Sequence, residues 1–122
     1  MYDDLVTYEL AVKLKEKGFD IPFYFYYRTD DKYLHHAMVT KPLVYCDKID
    51  DEVVCAPTIS QVLKWLRKEK IHIVIDFDNN MCWYFQIALY STTNYEKESE
   101  HKYNSYEQTA LEGIKYVLNN LI

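Results

Sequence analysis

The chain has only two glycines in its 122 residues, Gly18 and Gly113. Neither a dinucleotide fingerprint nor a P-loop can be built from them, because both need several glycines at fixed spacing to bring backbone against phosphate. Cysteine is scarce as well: Cys46, Cys55 and Cys82 are odd in number, and no two form a Cys-x-x-Cys pair. That pattern fits buried reduced thiols better than a disulfide frame or a zinc site. No apolar run approaches the roughly 20 residues of a membrane-spanning helix. The start, Met1-Tyr2-Asp3-Asp4, is acidic with no apolar stretch behind it, so a cytoplasmic protein is expected rather than a secreted one. Positive charge is also short. The net charge of −5 argues against a general nucleic-acid binder, which shows a basic stripe across its surface.

What is present is enough for one core. A hydrophobic fraction of 49% lies well above that of disordered chains, and 122 residues suit a single globular domain over 1–122. Asp3 or Asp4 can cap a first helix that ends at Gly18, where glycine supplies the left-handed conformation of a helix C-terminus. Along it Val6, Leu10 and Leu14 form one stripe and Leu5, Tyr8 and Val12 a second, so the helix is expected to touch two things. Pro22 to Tyr27 reads as a strand by its aromatic run. Residues 28–55 form an irregular middle segment. Its best extra strands are Tyr33 to Val39 and Leu43 to Cys46, after the turn-like Thr29-Asp30-Asp31-Lys32.

The stretch from Ala56 to Tyr90 is the most legible. Thr58-Ile59-Ser60-Gln61 is a capping box that opens a second helix with Ile59, Val62, Leu63 and Leu66 on its buried face and Trp65 beside it. Ile71, Ile73, Ile75 and Phe77 then alternate with polar residues, as a half-buried strand does. The next strand carries Met81, Trp83, Phe85, Ile87 and Leu89. Both sets must share the core face, which excludes a two-residue loop. A three-residue loop, Asp78 to Asn80, pairs Phe77 with Met81, Ile75 with Trp83, Ile73 with Phe85 and Ile71 with Ile87, with Asn80 in the left-handed position. Thr92 to Asn104 reads as a charged loop. Ser105-Tyr106-Glu107-Gln108 is a second capping box, and Tyr106, Ala110, Ile114, Val117, Leu118 and Leu121 mark the face of the C-terminal helix. The order α-β-(β)-α-β-β-α implies an α+β fold with a largely antiparallel sheet and helices mainly on one face.

Two surfaces stand out. The hairpin's other face presents His72, Val74, Asp76, Cys82, Tyr84, Gln86, Ala88 and Tyr90, and Tyr24 and Tyr26 join it if Phe23 and Phe25 point inward. Tyrosine combines a large rigid contact area with a hydroxyl, which suits recognition and equally suits the wet side of a sheet. The candidate binding face is therefore Tyr24, Tyr26, His72, Tyr84 and Tyr90. The second surface is a basic island, Lys64, Arg67, Lys68 and Lys70, interrupted only by Glu69. Metal and catalytic groupings are weak. His35-His36 near Asp30 and Asp31 lacks a helical i, i+4 pair, and adjacent residues of a strand point apart. His72, Asp76 and Cys82 could build a thiol site only if brought together, and strand residues four apart are separated by roughly 13 Å. Neither catalytic nor cofactor nor metal residues are assigned.

Lys15-Glu16-Lys17-Gly18-Phe19-Asp20, then Ala56-Pro57-Thr58 with Lys64-Trp65-Leu66-Arg67 and Ile71-His72-Ile73, then Ser105-Tyr106-Glu107 opening an Ala-Leu helix, form an ordered set of motifs. In that order the chain resembles small uncharacterised phage- and prophage-type proteins of gut Bacteroidetes. The resemblance spans most of the chain outside the middle segment and implies a mobile-element origin, with no activity and no site residue attached. The sequence thus leads to a non-enzymatic accessory protein that binds another protein, with no cofactor and no membrane; the alternative is nucleic-acid binding through the basic helix.

Overall fold

The computed structural model describes residues 4–19, 25–36, 53–89 and 95–122. The order is α1 (Tyr8–Glu16), β1 (Phe25–Arg28), β2 (Leu34–His36), β3 (Val53–Cys55), α2 (Ile59–Lys68), β4 (Ile71–Phe77), β5 (Trp83–Leu89), β6 (Tyr95–Glu98) and α3 (Tyr106–Asn120). This is an α+β fold. Its strands pair antiparallel and are shared between two three-stranded sheets, ordered β2-β1-β3 and β4-β5-β6. The chain forms two compact units, residues 1–61 and 62–122.

In the first unit the opening helix starts later than its acidic residues suggest. Thr7, not Asp3 or Asp4, is the N-cap, its hydroxyl accepting from the Leu10 N–H. Leu5 and Val6 are extended instead: Leu5 bridges Thr58, and the Val6 N–H donates to the Pro57 carbonyl at 3.0 Å. The helix ends as Gly18 predicts. Gly18 has φ +84°, and the Phe19 and Gly18 N–H groups return to the Leu14 and Lys15 carbonyls, a complete Schellman pattern with Phe19 and Leu14 both fully buried. Only one stripe, Leu10, Ala11 and Leu14, is buried within the helix; Tyr8 on the other side is half-buried and meets Tyr27 edge-on at 5.8 Å. Tyr27 donates its hydroxyl to the Val6 carbonyl at 2.6 Å, and burial, then the Glu9 carboxylate, pushes its pKa up.

Within the middle segment, Leu34–His36 falls inside the expected strand, and β3 was not anticipated. The proposed strand Leu43 to Cys46 lies outside the described residues, as does the beginning of the strand at Pro22. Cys55 is disulfide-bonded, which corrects the expectation of reduced thiols throughout. Spacing rules address local cysteine pairs and do not constrain partners that a fold brings together. Cys82 is a free thiol, half-buried.

The capping box of α2 is complete: the Gln61 N–H donates to Thr58 Oγ1 at 3.1 Å and the Thr58 N–H to Gln61 Oε1 at 2.9 Å. Trp65 is buried with Val62, Leu63 and Leu66. In the second unit α3 packs across β4 and β5. Its buried side is Thr109, Ala110, Gly113, Ile114, Val117 and Leu118, and the core of the sheet beneath it is Ile71, Ile73, Phe85 and Ile87. Gly113 is required by close approach: a Cβ there would stand 3.0 Å from Ile73 Cγ2 and 3.4 Å from Phe85 Cγ. The α3 cap differs from a simple box. Ser105 Oγ accepts from the Gln108 N–H, but Gln108 Oε1 accepts from the Asn104 N–H, one residue before the cap.

The charged stretch before α3 is not all loop. Tyr95–Glu98 pairs with β5 through a bulge at Ile87/Ala88, and Tyr103 makes a further bridge to Trp83. Alternating charge hides this strand from a reading by composition, since an edge strand needs no apolar run.

Candidate binding surface

The hairpin of β4 and β5 positions everything that follows, and its loop decides which residues are exposed. The two apolar sets do share a face, but the register differs from the expected one by two residues: Phe77 pairs with Trp83, Ile75 with Phe85, Ile73 with Ile87 and Ile71 with Leu89. The loop is still three residues long, moved one step along the chain to Asn79–Met81. Asp78 explains the shift. Its N–H donates to the Cys82 carbonyl, while its Oδ1 accepts from both the Asn80 and the Cys82 N–H at 2.9 and 3.0 Å. An aspartate bonding backbone two residues ahead fixes a turn more firmly than an asparagine's tolerance of left-handed geometry. The left-handed residue is therefore Met81, with φ 64°.

On the outer face the turn is tied to the segment after β6. His101 Nδ1 lies 3.0 Å from Asp78 Oδ2 and its Nε2 lies 3.5 Å from Glu98 Oε2. Its ring stacks on Tyr84 at 3.8 Å between centroids. Gln86 donates to Glu98 at 2.7 Å across the ladder. Asp78 is held below the usual carboxylate range, chiefly by the Cys82 N–H and then by His101 and the Asn80 N–H, with burial opposing them. Tyr84 is thus covered by an imidazole rather than open. His72 stands opposite Ala88, and Asp76 opposite Tyr84 rather than Cys82, so the thiol grouping does not assemble on one rung. Tyr26 lies in the other sheet, on β1, stacked at 5.4 Å on its cross-strand neighbour His35. Tyr24 and Tyr90 lie outside the described residues. Among the described residues no cluster of three His, Cys, Asp or Glu is arranged to hold a metal.

The inner face behaves differently at its two ends. Beneath α3 it is closed, but toward the loop it opens. Phe77 is 47% exposed, Met81 71% and Tyr106, in the first turn of α3, 42%. Half-buried Trp83 joins them, meeting Phe77 at 5.2 Å and Tyr106 edge-on at 6.1 Å. Its backbone is fixed by reciprocal hydrogen bonds with Tyr103, at 3.0 and 3.2 Å. The result is an aromatic patch with a rigid frame and an exposed thioether. Sequence reasoning assigned all four residues to the core, because alternation identifies a face and not the length of it that a helix covers.

A groove of about 350 Å³ runs along the other side of Phe85, between the segment after β6 and α3. Two of its three cations are already committed: Lys97 sits over the Tyr116 ring and Lys102 over the Tyr103 ring, each at 5.7 Å. Burial and then the Glu112 carboxylate push the Tyr103 pKa up, so the groove offers a neutral phenol and mixed charge rather than a site for one sign.

Of the basic island, Lys64, Arg67 and Lys68 are exposed on α2, spaced three and four residues apart and so on one side of it. No ion pair holds these three among the described residues. Lys70 is exposed in the turn that follows, at φ 66°. No described helix is long and apolar enough to cross a membrane.

Neither a family model, nor a curated protein, nor a solved structure matches this chain.

Proposed function

We propose that this protein acts without catalysis, by binding another protein through the patch formed by Phe77, Met81, Trp83 and Tyr106. One observation carries the reading: Phe77 and Tyr106, each more than two-fifths exposed, both meet Trp83 on a hydrogen-bonded frame, and Met81, in the loop between the two strands, is 71% exposed. Aromatic residues and methionine are enriched at the centres of protein interfaces, where rigid side chains lose little entropy on binding. Single exposed apolar residues need no explanation, but contiguous ones mark interaction sites. The resemblance to phage-type proteins is the reason to seek the partner in a bacterial host or in the same mobile element. The disulfide at Cys55 belongs with oxidising compartments and counts against a cytoplasmic site of action.

The test is capture from nuclease-treated bacterial lysate on immobilised protein, wild type beside Met81→Ser/Tyr106→Ser. A discrete protein retained by the wild type and lost from the variant supports the patch; equal retention by both removes it. The alternative, nucleic-acid binding by Lys64, Arg67, Lys68 and Lys70, draws on the exposure of those cations. It predicts an oligonucleotide shift at low salt that fades steeply as salt rises, and the absence of any shift disposes of it.

A further inference from the structure

The second sheet has two edges that differ in kind. β6 is short, bulged and charged, the usual protection of an edge strand. β4 has seven residues, no proline and only one acid or base of fixed charge, Asp76, and no described strand lies on its far side. The ladder shows which of its backbone groups point outward. Asp78 and Cys82 form a hydrogen-bonded pair, and Trp83 and Phe85 direct their backbone groups away from β4, toward Tyr103 and Ser99. Antiparallel pairs alternate between bonded and non-bonded, so Ile71, Ile73, Ile75 and Phe77 turn their N–H and C=O groups to the open edge. The Phe77 N–H is taken by the Asp76 Oδ1 at 2.8 Å. Among the described residues, Ile71, Ile73 and Ile75 have no backbone partner there.

We infer that this edge pairs with the β4 of a second copy, antiparallel about a two-fold axis through Val74. In that register Ile73 exchanges backbone bonds with Ile75 of the second copy, and Ile75 with its Ile73. On the inner face Phe77 meets Ile71 of the second copy, extending the apolar surface. On the outer face His72 stands opposite Asp76 of the second copy, and Asp76 opposite its His72. The arrangement is self-complementary, as an isologous two-fold contact must be, and the two His–Asp pairs select the second copy over an arbitrary extended peptide. The Asp76 Oδ2 is available for this, since Oδ1 serves Phe77. Phe77 is shared with the proposed binding patch, but Met81, Trp83 and Tyr106 lie off β4 and Val74, His72 and Asp76 lie outside the patch, so the two are tested by different substitutions.

Light scattering after size exclusion, from low micromolar to millimolar protein, tests the pairing. The wild type is expected to move from monomer to dimer. Val74→Lys sets two like charges face to face on the axis and weakens association by about tenfold or more; His72→Asp, placed against Asp76, does the same. His72→Asp/Asp76→Lys restores the opposite-charge pairs and with them the dimer, while circular dichroism verifies that each variant is folded. A monomer at every concentration, a dimer indifferent to Val74→Lys, or a charge exchange that fails to restore association overturns the inference. Lysate capture is read on Met81 and Tyr106 and association on Val74, His72 and Asp76, so failure of the patch and failure of the dimer are distinguishable.

Discussion

The two ends of the β4–β5 hairpin carry the same alternation and meet opposite fates. At the root, Ile71, Ile73, Phe85 and Ile87 disappear under α3. Toward the loop, Phe77 on the same face, and Met81 in the loop itself, stand in solvent. The difference is one of cover. α3 begins at Tyr106, whose ring reaches Trp83, and Phe77 and Met81 keep about half or more of their surface open. Periodicity tells which side of a strand is apolar, and only the placement of the next element tells how much of it becomes core.

The comparison breaks most visibly at its buried end. Phe85 is 3% exposed, beneath a glycine chosen for contact. Phe85→Ala is expected to cost about 3–5 kcal/mol, the range for emptying an aromatic site in a packed core. Trp83→Ala, two residues toward the loop, should cost less, about 1–3 kcal/mol, since Trp83 is only half-buried. Denaturant unfolding of the two variants measures both, and equal losses would mean that the open end is as tightly packed as the root.

Next in size is the contact that closes the root. Gly113→Leu directs a branched side chain into space where even a Cβ would meet Ile73 at 3.0 Å. Overpacking of this kind costs about 1–3 kcal/mol, and the leucine's better helix propensity offsets about 1 kcal/mol of it. A lowered unfolding midpoint with an unchanged m-value is the expected result.

How much of this was legible in the letters follows from the range of each determinant. The α2 capping box and the Schellman end of α1 are set by residues within five positions of one another, and both form as the sequence predicts. The shared face of β4 and β5 was legible because one wrong step would bury the polar set. The register was not, because a slip of two keeps every residue on its own face and leaves the decision to Asp78. β6 escaped notice because its ladder bonds are made by backbone, which its Glu and Lys side chains do not advertise. The exposed aromatic patch was hidden by the same alternation that revealed the sheet.

Asp78 sharpens the comparison from the outer side, where it joins turn to tail through His101. Asp78→Ala removes two backbone acceptor bonds and the imidazole contact, and should lower the melting temperature by a few degrees near neutral pH. The sign with pH is definite. A carboxyl whose folded pKa lies below its ordinary value near 3.8 stabilises the fold above that value, and the benefit is lost as pH falls through the lower, folded pKa. The gap between wild type and variant should therefore hold through neutral pH and narrow below about pH 4. Melting curves across that range show it, and a gap that widens on acidification would contradict the assignment.

The smallest expected effect bears most on function. Met81 combines a left-handed backbone, φ 64°, with 71% exposure. A residue with a side chain gives up about 1 kcal/mol in that conformation, and glycine, despite its greater freedom when unfolded, should recover about 0.5 kcal/mol. Stability alone thus favours Gly or Asn at this position over methionine. Local choices that run against stability concentrate at functional sites, and that makes Met81 the residue to test in binding. Met81→Gly should accordingly unfold at slightly higher denaturant than the wild type while capturing less partner from lysate. If the variant gains stability and captures as well as before, Met81 belongs to the loop alone, and the patch contracts to Phe77, Trp83 and Tyr106.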